Sequence, residues 1–120
     1  MERISKIFKP YDKELILSWG IHPIALPLQF GIITSKGISK ESGAKDIAKY
    51  YNLPFDEILG VGDTTSDWHF IKLCGYAAAM GNASNELKKL VSSKGKRHSY
   101  IGSSVDDNGI INIFKNFNLI

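Results

Sequence analysis

The sequence predicts an α/β fold built on a mostly parallel sheet, and three observations predict it. Short runs almost free of charge, "EILGVG", "YAAAMG" and "HSYIGS", recur along the chain. Each is followed by a stretch with helical apolar spacing, and glycine, asparagine or proline stands at most of the joins. An uncharged strand alternating with an amphipathic helix is the pattern of a sheet covered on both faces, with ligand sites at the carboxyl ends of its strands.

Taken in order, residues 1 to 22 carry Ile4, Ile7, Phe8, Tyr11, Leu15 and Trp19 at near-helical spacing, interrupted by Pro10, which predicts a broken helix pair. Pro23 and Pro27 punctuate the chain, with His22 in the turn before Pro23. "LQFGIITSKG" reads as the first strand of a β-α-β-α-β-α-β-α series, since Phe30, Ile32 and Ile33 favour strands and Ser35, Lys36 and Gly37 close it. Ser39 suits the cap of the next helix, whose stripe is Ala44, Ile47, Ala48 and Tyr51, and Asn52 and Pro54 stop it. The strand "EILGVG", a helix "DWHFIKLCG" ending at Gly75, the strand "YAAAMG", a helix "NELKKLVS", the strand "HSYIGS" and a final helix "GIINIFKNF" complete the series.

Composition narrows the function classes. The 120 residues carry a formal charge of +3, with one short basic cluster at Lys94, Lys96 and Arg97 that lacks aromatic interleaving, so no nucleic-acid partner is expected. Cys74 is the single cysteine and lies in a helical apolar pattern, which favours a core thiol in a reducing, cytoplasmic setting. No apolar run is long enough to cross a membrane, and "MERISKIFKPYDKE" is too charged for a signal peptide.

The chemistry concentrates in "GDTTSD". Asp63 falls at the carboxyl end of a buried strand, directly after Gly62, and Asp67 lies four residues on. A hard cation such as Mg2+ takes oxygen ligands and keeps several waters, so one carboxylate can bind it directly while the other holds a metal-bound water. The alternative is that Thr64, Thr65, Ser66 and Asp67 cap the helix starting near Trp68. Lys40 begins the helix after the first strand, where an ammonium can reach a phosphate or a carboxylate, or simply sit in solvent. Asn82, in "MGNA", ends a buried strand or caps the helix after it, and Ser103, Ser104, Asp106, Asp107 and Asn108 form a polar turn ending at Gly109.

The ordered blocks "GISKESGAKDIAKYYNLPFDEILGVGDTTSDWHFIKLCGYAAAMGNASNELKK" and "DDNGI" resemble the C-terminal core of the haloacid dehalogenase (HAD) superfamily, nearest to the Cof-type and the phosphoglycolate or sugar phosphatases. The resemblance implies part of a Rossmann-like three-layer sandwich over residues 30 to 120, with residues 1 to 29 a remnant of a cap domain or its linker. It implies that Lys40 steadies a phosphorylated intermediate, that Asp63 binds Mg2+ directly, and that Asp67 supports the metal. Ser66, where the family commonly has asparagine, and Asn82 stand at positions facing phosphate or metal. The substrate implied is a phosphorylated small molecule.

The family's Asp-x-Asp nucleophile block has no counterpart in the chain. Asp12 lacks a preceding strand-like run, and Asp106 and Asp107 are adjacent. His22, His69 and His98 stand at no family position. The expectation is therefore the C-terminal portion of a phosphatase, inactive until a nucleophile-bearing N-terminal half or an oligomer completes it. A non-catalytic remnant or binding module is the alternative, and an unrelated small α/β binding domain ranks behind both.

Overall fold

The computed structural model describes residues 2–21 and 27–120, so His22 and Pro23 lie outside the described residues. The chain forms two compact units, Met1–Ser39 and Lys40–Ile120.

In the first unit, helix α1 (Glu2–Phe8) runs into a single 3₁₀ turn at Lys9–Tyr11, where Pro10 occupies an early helical position that needs no N–H donor. The broken helix pair expected over residues 1 to 22 is half wrong. Residues Leu15–Ile21 form strand β1, paired antiparallel with β2 (Gln29–Ser35) in a register running from Leu15 opposite Ser35 to Ile21 opposite Gln29. Tyr11, Leu15 and Trp19 are spaced by four, which keeps residues on one face of a helix and equally on one face of a strand. The strand at 29–35 is real, but it belongs to this antiparallel ribbon and not to the parallel sheet. The two compact units themselves divide at 39/40.

The second unit carries the parallel sheet, in the order β3 (Leu59–Gly62), β4 (Tyr76–Ala79), β5 (Ser99–Ile101). Around it lie helices α2 (Lys40–Tyr50), α3 (Trp68–Ile71), α4 (Asn85–Ser92) and α5 (Gly109–Asn116). α2 ends where Asn52 adopts a left-handed conformation (φ 52°) and Leu53 donates its N–H to the Ala48 carbonyl at 2.8 Å. α3 is shorter than expected, because the chain tightens after Ile71 into i→i−3 bonds, Leu73 to Phe70 and Cys74 to Ile71.

Successive residues of β4 serve opposite faces. Ala77 and Ala79 join Ile71, Leu87 and Val91 in the core beneath α3 and α4. On the other face α5 supplies the fully buried Ile113, whose side chain crowds Gly102 just after β5, and Tyr100 donates its hydroxyl to Asn112 at 3.1 Å. The result is three layers, helix, sheet and helix, with alanines in the middle strand letting both helical layers approach closely. Each fully buried Ile, Leu or Val is worth about 1.5–3 kcal/mol, so this small core depends on a few residues. Cys74 is one of them, and burial pushes its thiol pKa up although Lys94 opposes the shift, which makes it the unreactive core thiol expected. Among the described residues no helix is long and apolar enough to cross a membrane.

Gly43 sits inside α2, where glycine costs helix stability, and a Cβ built there meets nothing within 4 Å. Gly43→Ala is therefore expected to stabilise the chain by about 0.5–1 kcal/mol, seen as a higher urea midpoint at unchanged slope. A lower midpoint would contradict the open space beside this helix.

Candidate active site

The site is assembled where β3 ends. Gly62 is followed by a tight loop that brings Asp67 back under the strand end, so closely that a Cβ on Gly62 would lie 2.8 Å from Asp67 Oδ2. Asp67 is buried and its carboxylate is fully engaged. Oδ2 accepts the backbone N–H groups of Asp63 and Thr64, both at 3.1 Å, and the Thr64 hydroxyl at 3.2 Å. Oδ1 accepts Lys40 Nζ from the first turn of α2. Burial pushes the Asp67 carboxyl pKa up, but the Lys40 ammonium and the two backbone N–H groups outweigh it and hold the value at about 2.

Asp63 is the complement of Asp67. It is exposed, and its side chain has no hydrogen-bond partner among the described residues. Its backbone is nonetheless fixed, since its N–H is held by Asp67 and its carbonyl accepts the Ser84 N–H at 3.0 Å. The loop thus presents one unengaged carboxylate on a rigid mount, while the second carboxylate does the mounting. Lys40, Asp63 and Asp67 all line one cavity of about 630 Å³.

The other two candidates lie at the same end of the sheet but are occupied differently. Ser66 is exposed and its hydroxyl lies 2.9 Å from that of Thr64. Asn82 accepts the Val105 N–H at 2.9 Å through Oδ1, tying the loop after β4 to the turn after β5. Neither residue lines the cavity. As a helix cap, Asn82 is displaced by Ser84, whose hydroxyl accepts the Leu87 N–H at 3.2 Å. Ser84 was overlooked in the sequence, although a serine directly before "NELKKL" is a strong cap signal. Thr65, one of the expected cap residues, instead places its hydroxyl 3.1 Å from both Ser84 Oγ and Glu86 Oε2. Of the histidines, His69 is exposed on α3 and does not line the cavity, while His98 stacks on Tyr76.

A metal can be weighed against this donor set. Among the described residues no group of three or more His, Cys, Asp or Glu converges. That excludes a zinc-like cage of protein ligands among them, but it fits magnesium, which is commonly held by one or two carboxylates with waters and phosphate oxygens. Both carboxylate oxygens of Asp63 are without protein donors among the described residues, whereas each oxygen of Asp67 already accepts at least one.

A strand-end aspartate beside a lysine–aspartate pair is a constellation that can be compared with known proteins. The family model for haloacid dehalogenase-like hydrolases matches residues 2–114. The chain belongs to that family. Among HAD-like relatives, stress response protein YhaX of Bacillus subtilis is 31% identical over 85 residues, which cover 71% of this chain and 27% of that protein. Phosphatase YwpJ of the same organism is 28% identical over 83 residues, covering 69% of this chain and 27% of that protein. A solved HAD phosphatase from Bacteroides thetaiotaomicron superposes with a TM-score of 0.69 at 27% identity, over 99% of this chain and 40% of that one. The chain therefore spans about a quarter of the length of these curated relatives. The HAD-like fold expected from the ordered sequence blocks is confirmed.

Proposed function

We propose that this chain supplies the carboxylate and lysine side of a magnesium-dependent phosphate monoester hydrolase acting on a phosphorylated small molecule, with its nucleophile provided by residues outside these 120. The observation that carries the reading is the division of labour between two acids. Asp67 spends both oxygens on Lys40 and the loop backbone, and Asp63, fixed by the same loop, keeps its carboxylate available at the strand end.

In this reading Asp63 holds the cation, which when bound would offset charge on a phosphoryl group. Asp67 is a positioning residue for Asp63 and for the Lys40 ammonium. Lys40 is 64% exposed along its side chain, so its charge can also face a phosphate oxygen while Asp67 anchors it. Hydrolysis needs an attacking group as well, and the chain has no Asp-x-Asp to supply one. The phosphatase named among its relatives supports the reaction class.

The test is a magnesium titration followed by backbone amide chemical shifts. Wild type is expected to shift at Asp63, Thr64 and Gly81, and Asp63→Asn, which keeps the shape and removes the charge, to bind at least tenfold more weakly. Equal titration of both proteins would overturn the assignment of Asp63. Hydrolysis of p-nitrophenyl phosphate by the wild-type chain alone, abolished in Asp63→Asn, would instead overturn the claim that the nucleophile lies elsewhere. Magnesium-independent shifts on adding phosphate, with no response to magnesium, would favour a phosphate-binding module.

A further inference from the structure

A second concavity, of about 410 Å³, opens at the far end of the sheet from Asp63, where the strands begin. Glu57 stands two residues ahead of β3, Tyr76 opens β4 and Arg97 stands two residues ahead of β5, and all three line it. The last turn of α5 and the chain after it add Asn116, Phe117 and Asn118. The lining thus holds one carboxylate, one guanidinium, two amides and two aromatic rings. An apolar wall with a few polar groups around it is the composition of a small-molecule site.

Each wall is held in place by the protein itself. The 3₁₀ turn Phe55–Glu57 is locked by the Gly75 N–H on the Phe55 carbonyl at 2.6 Å, and a Cβ on Gly75 would overlap the Asp56 carbonyl oxygen. Next to Arg97, His98 donates its N–H to Gly95 O at 3.0 Å and accepts the Ala77 N–H at 2.9 Å. The Tyr76 ring stacks on His98 with centroids 5.1 Å apart and meets Phe117 edge-on at 5.7 Å. Beyond α5, Asn118 donates its N–H to Lys115 O at 3.1 Å and Leu119 donates to Phe114 O at 2.9 Å, with Asn118 in the left-handed conformation (φ 56°) that ends a helix. Walls ordered in advance lower the cost of binding.

The two charges are open to a ligand. Among the described residues neither Glu57 nor Arg97 takes part in an ion pair or a side-chain hydrogen bond, and the strands they precede are separated by β4. Neighbouring strands lie about 4.8 Å apart, which sets the two main chains roughly 10 Å from each other with the start of β4 between them. A simple anion would satisfy Arg97 and leave Glu57 facing it, and a simple cation would do the reverse. We propose that this concavity binds a small zwitterion whose cationic and anionic groups are separated by a flat apolar body, the cation on Glu57, the anion on Arg97 and the body against Tyr76 and Phe117. An amino acid with its two charges at opposite ends of a ring fits this spacing, and an α-amino acid, with both on one carbon, spans too little of it.

The test uses 4-(aminomethyl)benzoate as the probe, followed through backbone amide shifts of the full chain without magnesium or phosphate ester. Shifts are expected at Tyr76, His98 and Asn118 and not at Asp63 or Gly81, half-saturating at about 1–10 mM, the range open to so few atoms. Benzoate and benzylamine, which carry one charge each, are expected to bind about tenfold more weakly, and Glu57→Gln and Arg97→Gln to weaken the zwitterion by about the same factor. The pattern is crossed: Glu57→Gln is expected to leave benzoate binding unchanged, and Arg97→Gln to leave benzylamine binding unchanged. Both side chains are exposed, so the two variants are expected to keep an otherwise wild-type amide spectrum. No shift at Tyr76, His98 and Asn118 would overturn the proposal, as would a zwitterion that binds no more tightly than benzoate or benzylamine, or equally well to wild type and either variant. Shifts concentrated at Asp63 and Gly81 would overturn it too, by placing the probe in the other cavity. The Asp63 titration depends on magnesium and this one uses none, so either can fail while the other succeeds.

Discussion

Replacing Asp67 with alanine is expected to cost the Lys40–Ile120 unit about 2–4 kcal/mol, measured as a lower urea midpoint at pH 7. The substitution removes a carboxylate that satisfies two backbone N–H groups, a hydroxyl and an ammonium at once. Most of the loss comes from the loop N–H groups of Asp63 and Thr64, because Lys40 is largely exposed and its ion pair is screened by solvent. The same residue sets part of the acid sensitivity. Asp67 titrates at about 2 in the folded chain against an ordinary value of 3.8. Its folded pKa is depressed, so its contribution is complete above about pH 4 and disappears as pH falls through about 2. That difference amounts to about 2 kcal/mol before solvent screening. Wild type should therefore lose stability over this range faster than Asp67→Ala. Parallel stability curves for the two proteins between pH 5 and about pH 2 would contradict the role given to this carboxylate.

Gly109→Ala is expected to destabilise by about 2–3 kcal/mol, the opposite sign from Gly43→Ala. Gly109 is buried at the start of α5, and a Cβ there would overlap the Ser103 carbonyl oxygen and approach Ser104 O at 2.8 Å and Met80 Cε at 2.9 Å. Two of these three neighbours are backbone and cannot rotate away. The methyl group can be accommodated only by pushing α5 off the sheet, which would also loosen Ile113 in the core. Thermal unfolding of the two alanine variants beside wild type checks both signs in one experiment. A Gly109→Ala midpoint equal to wild type would show that the turn before α5 is far softer than its geometry implies.

Much of the second unit was legible because its elements obey a single period. "NELKKLVS" is α4 to the residue, and the three uncharged runs contain β3, β4 and β5. Strand β1 was not legible, since Tyr11, Leu15 and Trp19 satisfy the helical and the strand periods together. The partner of β2 was hidden for a different reason: its composition says that Gln29–Ser35 is extended and says nothing about what lies beside it. Within the site, Asp63 and Asp67 were picked out by their position at a strand end. That Asp67 would be consumed by Lys40, 27 residues earlier, depends on how α2 packs beside α3, which no local pattern encodes. Asn82 and Ser84 compete for the same helix start, and the side chain two residues nearer wins because it alone reaches the Leu87 N–H.

The three loops at the carboxyl ends of the strands are stitched to one another by hydrogen bonds, two between main-chain groups and one from a main-chain N–H to a side chain. Ser84 N–H reaches back to Asp63 O at 3.0 Å, Gly81 N–H to Ser103 O at 2.8 Å, and Val105 N–H to Asn82 Oδ1 at 2.9 Å. These links run from the first loop to the second and from the second to the third. Fluctuations at this end of the molecule are then expected to be shared among the three loops, so that loosening the turn at Val105 would also loosen the mount that holds Asp63.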